Sequence, residues 1–145
     1  MTAAFLLDVN VLIAPVDPAH VAHDAAHEWF EQQGHKAWAT CPLTENGLLR
    51  IVGGARYPNS PGTPAAVAPL LAALRALPGH VFWPDDISLL DADRVDTTRL
   101  LNSAQVTDSY LLALACAHEG QLASFDRRLV KDAVRGGARR LHLIE

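Results

Sequence analysis

Cysteine is scarce in this chain: Cys41 and Cys116 are the only two in 145 residues. They are too few and too far apart for a disulfide framework, which points to a reducing compartment, the cytoplasm. Cys116 lies in an apolar stretch and reads as a small buried hydrophobe. Basic residues are also in the minority, 12 Lys and Arg against 16 Asp and Glu, for a formal net charge of −4. That balance excludes a generally basic nucleic-acid binder, so any polyanion must meet a local patch. No apolar run reaches the ~18 residues of a membrane-spanning helix. The first residues lack a basic segment leading into a long apolar core, so no signal peptide is expected. Also missing are the G-x-x-x-x-G-K loop, the G-x-S-x-G elbow and the G-x-G-x-x-G fingerprint. Their absence removes the common nucleotide-binding and acyl-transfer classes.

What the sequence does contain is core-forming material. Half of the residues are apolar, which excludes a disordered chain, and nine Gly and nine Pro are ordinary numbers. Residues 1–145 are expected to form a single domain. Residues 5–7 are a short apolar run that ends in Asp8, as in a strand buried on both faces. Residues 9–14 suit a short helix broken by Pro15 and Pro18. Residues 20–33 form an amphipathic helix with a stripe of Val21, Ala25, Trp29 and Phe30, closed by Gly34. His23 and His27 have a spacing that can hold zinc, but no third ligand stands out, so a surface or partner-facing role is favoured.

Residues 36–40 read as a second strand, and Pro42 opens a helix to about Val52. Residues 55–62 are a Pro/Asn/Ser/Gly loop. Thr63 and Pro64 then look like N-cap and first turn of an apolar helix, with Pro69 expected to shift or kink its start and Arg75 as its only charge. Residues 80–83 suit a third strand. The acidic stretch 85–101 is expected to hold one or two short helices with its acids in solvent. Residues 107–118 form the most apolar helix, with Thr107 as N-cap and Gly120 as its stop. Residues 121–125 and 141–144 read as strands, with a short basic helix over 127–135 between them. Strand and helix alternate, so the fold class is α/β with a mainly parallel sheet.

Four acids share one setting. Asp8 and Asp126 end apolar strands; Glu45 and Asp108 lie in the first turns of helices that follow loops. Strand ends and following helix starts meet on one edge of a parallel sheet, so the four can converge. Each alone fits a cap or a surface ion pair. Together they repel, and a cation or protonation must relieve them. Oxygen donors suit Mg²⁺, and such a site fits metal-assisted hydrolysis of a phosphodiester. Arg127, Arg128, Lys131, Arg135, Arg139 and Arg140 supply six of the 12 basic residues, either a solvated face or a local polyanion patch.

The run Leu6-Leu7-Asp8-Val9-Asn10-Val11-Leu12-Ile13 resembles the opening motif of PIN-domain ribonucleases. Thr44-Glu45 with Leu48, Leu49 and Arg50 resembles their second motif, residues 106–115 around Asp108 the third, and residues 122–128 around Asp126 the fourth. Order and spacing agree across nearly the whole chain, closest to VapC-type toxins of bacterial toxin–antitoxin pairs. The resemblance implies a PIN-like three-layer sandwich with a central sheet of four to five strands flanked by helices. It implies an endoribonuclease dependent on Mg²⁺ or Mn²⁺, with Asp8 and Asp108 as metal ligands. Glu45 and Asp126 would complete the acidic pocket, with Asn10, Ser124 and Thr107 in support and Arg127, Arg128 and Lys131 toward the RNA. Many members carry Thr or Ser where this chain has Asn10; Asn can still orient a ligand or water. Homodimerisation and a cognate VapB-type antitoxin are implied as well. Two other readings stand beside this one. A catalytically silent PIN-like module for RNA or a partner is one. The other is a haloacid-dehalogenase-type phosphatase, which expects a second Asp where this chain has Asn10.

Overall fold

The computed structural model describes residues 3–145. In chain order its regular elements are β1 (Phe5–Leu7), α1 (Val9–Val16), α2 (His23–Gln32), β2 (Trp38–Thr40), α3 (Pro42–Val52), α4 (Pro64–Arg75), β3 (His80–Phe82), α5 (Val106–Ala117), β4 (Gln121–Ser124) and β5 (Leu141–Leu143). The strands form one five-stranded sheet, every pair parallel, in the order β3-β2-β1-β4-β5. β1 is central, with Leu6 level with Ala39 of β2 on one side and Leu122 of β4 on the other.

Side chains alternate across a strand, and here that divides the core in two. Leu6 and Leu122 join Leu111, Leu112 and Val134 beneath α5. Leu7 and Ala123 join Leu12, Trp29, Trp38, Leu48 and Val67 beneath α1 to α4. The sheet is therefore the middle of three layers, as expected. Burying a side chain such as Leu122, 0% exposed, contributes about 1.5–3 kcal/mol. No helix among the described residues is long and apolar enough to cross a membrane.

From β1 the chain builds outward to β2 and β3, then returns to place β4 and β5 on the other flank. That reversal makes a switch point at the carboxyl ends of β1 and β4, where open α/β sheets form their ligand crevice.

Several expectations fail, each for a local reason. Pro15 does not break α1, because it sits in the last turn and forfeits only one terminal hydrogen bond. Pro69 does not shift the start of α4, which begins at Pro64 as expected, capped by Thr63 Oγ1 accepting from Ala66 N at 3.2 Å, and runs on through Pro69. α2 begins at His23 rather than His20, which leaves Val21 outside it and 99% exposed; Ala26 and Trp29 make the buried face.

The stretch 85–101 has turns and a single 3-10 turn, Thr97–Arg99, not α-helices. Its polar side chains capture nearby amides: Leu90 N donates to Ser88 Oγ at 3.0 Å, Asp93 N to Asp91 Oδ1 at 3.0 Å and Thr98 N to Asp96 Oδ1 at 3.1 Å. Such local bonds compete with the helix.

The basic helix over 127–135 is absent too. Its backbone pairs with the acidic stretch instead: Asp96 N donates to Ala133 O at 2.8 Å and Arg135 N to Arg94 O at 2.9 Å, around an antiparallel bridge of Val95 with Val134.

Candidate active site

Asp8 follows the last residue of β1 and caps α1. Its Oδ1 accepts from Val9 N at 2.8 Å and its Oδ2 from Ser124 Oγ at 2.8 Å. Ser124 ends β4 and in turn accepts from Asp126 N at 3.1 Å. The hydroxyl thus ties the ends of the two central strands together. Asp126 folds back on its own loop, with Oδ1 accepting from Arg128 N at 2.9 Å. Asp108 lies in the first turn of α5, above the same seam. Together Asp108, Asp126, Arg128, Asn102, Gln105 and Val130 bound a shallow pocket of about 150 Å³.

The acids act on one another. Burial raises the Asp8 pKa above 3.8 and Asp126 adds to that, against the Ser124 and Val9 hydrogen bonds, which lower it. Burial, then the charges of Asp8 and Asp126, push Asp108 up to about 6. Among the described residues none of the three aspartates has a salt-bridge partner.

Glu45 stands apart from this trio. It lies in the first turn of α3, at the carboxyl end of β2. Its Oε2 accepts from Thr40 Oγ1 at 2.6 Å, and its Oε1 pairs with Arg75 Nη1 at 3.4 Å. Thr40 has a single hydroxyl proton. Donated to Glu45, that proton leaves Thr40 Oγ1 to accept from His80 Nε2 at 2.8 Å. Burial lowers the His80 pKa below 6.5, with Arg75 adding to the effect and Glu45 opposing it. The guanidinium of Arg75 also sits 4.9 Å from the centroid of Phe82. Gly47 lets α3 approach α1, since a Cβ there would stand 3.0 Å from Val9 Cγ2.

Residues 5–134 match the sequence profile described as the PIN domain. The chain belongs to the PIN domain family. It is 44% identical over 138 residues to Ribonuclease VapC44 of Mycobacterium tuberculosis, covering 95% of this chain and 96% of that protein. It is 45% identical over 136 residues to Ribonuclease VapC39 of the same organism, at 94% and 96% coverage. Ribonuclease VapC38 is 40% identical over 121 residues, at 83% and 84%.

Within this PIN domain, three of the four predicted acids converge at the seam, and Glu45 faces the neighbouring strand with a cation of its own. Ser124 Oγ donates to Asp8 Oδ2. Asn10 is exposed in the first turn of α1. Thr107 is not the N-cap of α5. The helix is entered through a 3-10 turn, Ser103–Gln105, where Asn102 Oδ1 accepts from Gln105 N at 3.1 Å; Thr107 lies exposed one residue inside. Arg128 borders the acidic pocket, while Arg127 and Lys131 are exposed.

Sequence reasoning missed Thr40, His80 and the role of Arg75. Thr40 ends β2, so the strand-end rule that found Asp8 also reaches it. Arg75 was visible as the lone charge on an apolar helix. No pattern marks His80. Asp85 is not merely a solvated acid: it accepts from Leu43 N at 3.1 Å, at the start of α3, and from Tyr110 Oη at 2.9 Å.

The donor set suits a hard divalent cation, being carboxylate oxygens without a protein counter-charge. No three His, Cys, Asp or Glu side chains among the described residues form a ready metal cage. The rings of His23 and His27 pack edge to face at 4.5 Å.

Proposed function

We propose that this PIN domain is an endoribonuclease, the toxin of a type II toxin–antitoxin pair. Hydrolysis of RNA phosphodiester bonds would depend on Mg²⁺ or Mn²⁺. The observation that carries the reading is the gathering of Asp8, Asp108 and Asp126 at the β1/β4 switch point, with no salt-bridge partner among the described residues. The names of the relatives, each a ribonuclease, support RNA as the substrate class.

Asp8 and Asp108 would hold the cation, with Asp126 and Glu45 joining directly or through water. A bound divalent cation neutralises the carboxylates, lowers the pKa of water and stabilises charge on the attacked phosphate. The residues of the chain do the rest. Ser124 fixes the Asp8 carboxylate by donating to one oxygen, so it is oriented before substrate arrives. Asp108, titrating near 6, is ionised at pH 7 and free to accept a hydrogen bond. Thr40 and Arg75 fix the position of the Glu45 carboxyl group, one by a hydrogen bond and the other by an ion pair. Arg128 lies where an RNA phosphate would leave the pocket.

A partner fits the opposite needs of this surface. An apolar groove of about 170 Å³, bounded by Pro15, Phe30, Leu74 and Leu77 among others, offers a seat for a VapB-type antitoxin. The exposed Val81 and Phe82 on edge strand β3 suit a homodimer or that same partner.

The test is cleavage of RNA by the purified chain with Mg²⁺, with EDTA, and with Asp108→Asn. Activity that EDTA abolishes and that falls by 100-fold or more in the variant is expected, roughly 3 kcal/mol of lost transition-state stabilisation. Wild-type rates in the variant, or cleavage indifferent to EDTA, would end the proposal. Intact RNA binding without any cleavage would instead favour a silent module.

A further inference from the structure

The fold divides the C-terminal basic residues between two ends of the sheet. Arg128 joins Asp108 and Asp126 at the carboxyl end. Arg135, Arg139 and Arg140 collect at the amino end, just before β5. With Arg94, Cys116 and Gly136 they bound a cavity of about 480 Å³. No carboxylate lines it.

Two of the guanidiniums are held in place by backbone carbonyls. Arg135 Nε donates to Ala92 O at 2.8 Å; Arg140 Nη1 donates to Glu119 O at 3.1 Å and Gly120 O at 3.4 Å. Each guanidinium has five N–H donors, so most remain for a ligand. Among the described residues Arg135, Arg139 and Arg140 form no ion pair. Two carboxylates lie close by: Asp91 pairs with Arg94 of the lining at 3.5 Å, and Asp96, paired with Arg99 at 3.4 Å, also feels the charge of Arg135, which leaves Arg139 and Arg140 as the uncompensated pair. Gathering like charges costs free energy that a bound anion relieves. The planar fork of Arg matches phosphate oxygens in pairs.

The cavity also has a fixed relation to the acids. Asp108 begins α5 and Cys116 nears its end, a separation of about 12 Å along the helix axis. A short run of nucleotides spans that length.

We propose that this arginine cavity is a second phosphate-binding site, which holds the backbone of an RNA strand away from the acids. The choice of RNA rests on the nuclease reading, whereas the phosphate chemistry does not.

The experiment uses the full chain carrying Asp108→Asn, so that RNA is bound and not cut. Anisotropy of a labelled RNA oligonucleotide gives Kd between 50 and 200 mM salt, concentrations over which phosphate binding weakens steeply. Arg139→Gln, which breaks no hydrogen bond or ion pair among the described residues, should weaken binding about 3-fold. Arg135→Gln with Arg139→Gln should weaken it about 10-fold. The log–log salt slope should flatten by ~0.7 for each phosphate that is no longer neutralised. As a local readout, RNA and pyrophosphate should each slow the reaction of Cys116 with a thiol reagent; Cys41, 0% exposed, stays silent. Unchanged Kd and slope in the double variant, or no protection of Cys116, overturns the site. Protection by pyrophosphate but not by RNA overturns its assignment to RNA. Arginine-dependent RNA binding by a chain whose wild type never cuts RNA upholds this site and sinks the nuclease.

Discussion

Replacing Asp108 with Asn should make the metal-free protein more stable at neutral pH while removing its chemistry. Asp108 is partly desolvated and faces Asp8 and Asp126, which lifts its pKa from 3.8 to about 6. A carboxyl raised in the folded state resists ionisation there. It is protonated in both states at low pH, and its cost to stability grows as pH rises through about 6. At about 1.4 kcal/mol per pH unit, a rise of roughly two units corresponds to about 3 kcal/mol for a shielded group. Asp108 is open to water on one side, and screening reduces this to about 1–1.5 kcal/mol. For a domain of this size each kcal/mol moves Tm by about 2–4 °C, so Asp108→Asn should gain roughly 2–6 °C at pH 7.5. At pH 4, close to the unfolded-state pKa, the gain should shrink to about 1 °C. Thermal scans in EDTA at the two pH values measure this directly. Added Mg²⁺ should then raise Tm of the wild type more than that of the variant. An equal or lower Tm for the variant at pH 7.5, or a gain that ignores pH, would refute the account of repelling acids.

Other changes probe the supports of the site. Ser124→Ala removes the hydroxyl shared by Asp8 and Asp126 and should cost about 1–2 kcal/mol; a carbon-detected NMR titration should show the Asp8 pKa moving further up, and an unmoved Asp8 counts against the link. Thr40→Val strips partners from both Glu45 and His80 and should cost about 1–3 kcal/mol in urea unfolding. The hydrogen-bonded Nε2–H of His80 should lose its NMR signal in that variant, and its persistence would show that the proton sits elsewhere. Gly47→Val forces a side chain against Val9 and should cost about 1–3 kcal/mol; RNA cleavage measured at a temperature where the variant stays folded should still fall, because α3 carries Glu45 away from α1.

Much of the architecture is legible in residue pattern alone. The apolar run ending in Asp8, the Thr63-Pro64 helix start and the unbroken apolar face around Leu111 each have a strong local cause, and the structure agrees with them. Asp8 and Asp126 are findable because strand ends point to one edge of a parallel sheet. The failures occur where local pattern is weaker than a distant partner. Residues 127–135 have helix-like composition, yet their backbone pairs with residues 94–96. Val21 fits a helical stripe, but the helix begins after it. Glu45 matches the acid pattern, while Arg75, thirty positions later, supplies the charge that sets it apart from the three aspartates. Pairings of that kind have no trace in short-range periodicity.

The seam between β1 and β4 lies at the interior of the sheet, with β2 and β3 on one flank and β5 on the other. The acids therefore occupy the part of the molecule least exposed to insertion, truncation or fusion. Either margin can be lengthened, remodelled or claimed by another polypeptide while the centre keeps its geometry. Such a plan lets one scaffold diverge in whom it recognises without altering what it does.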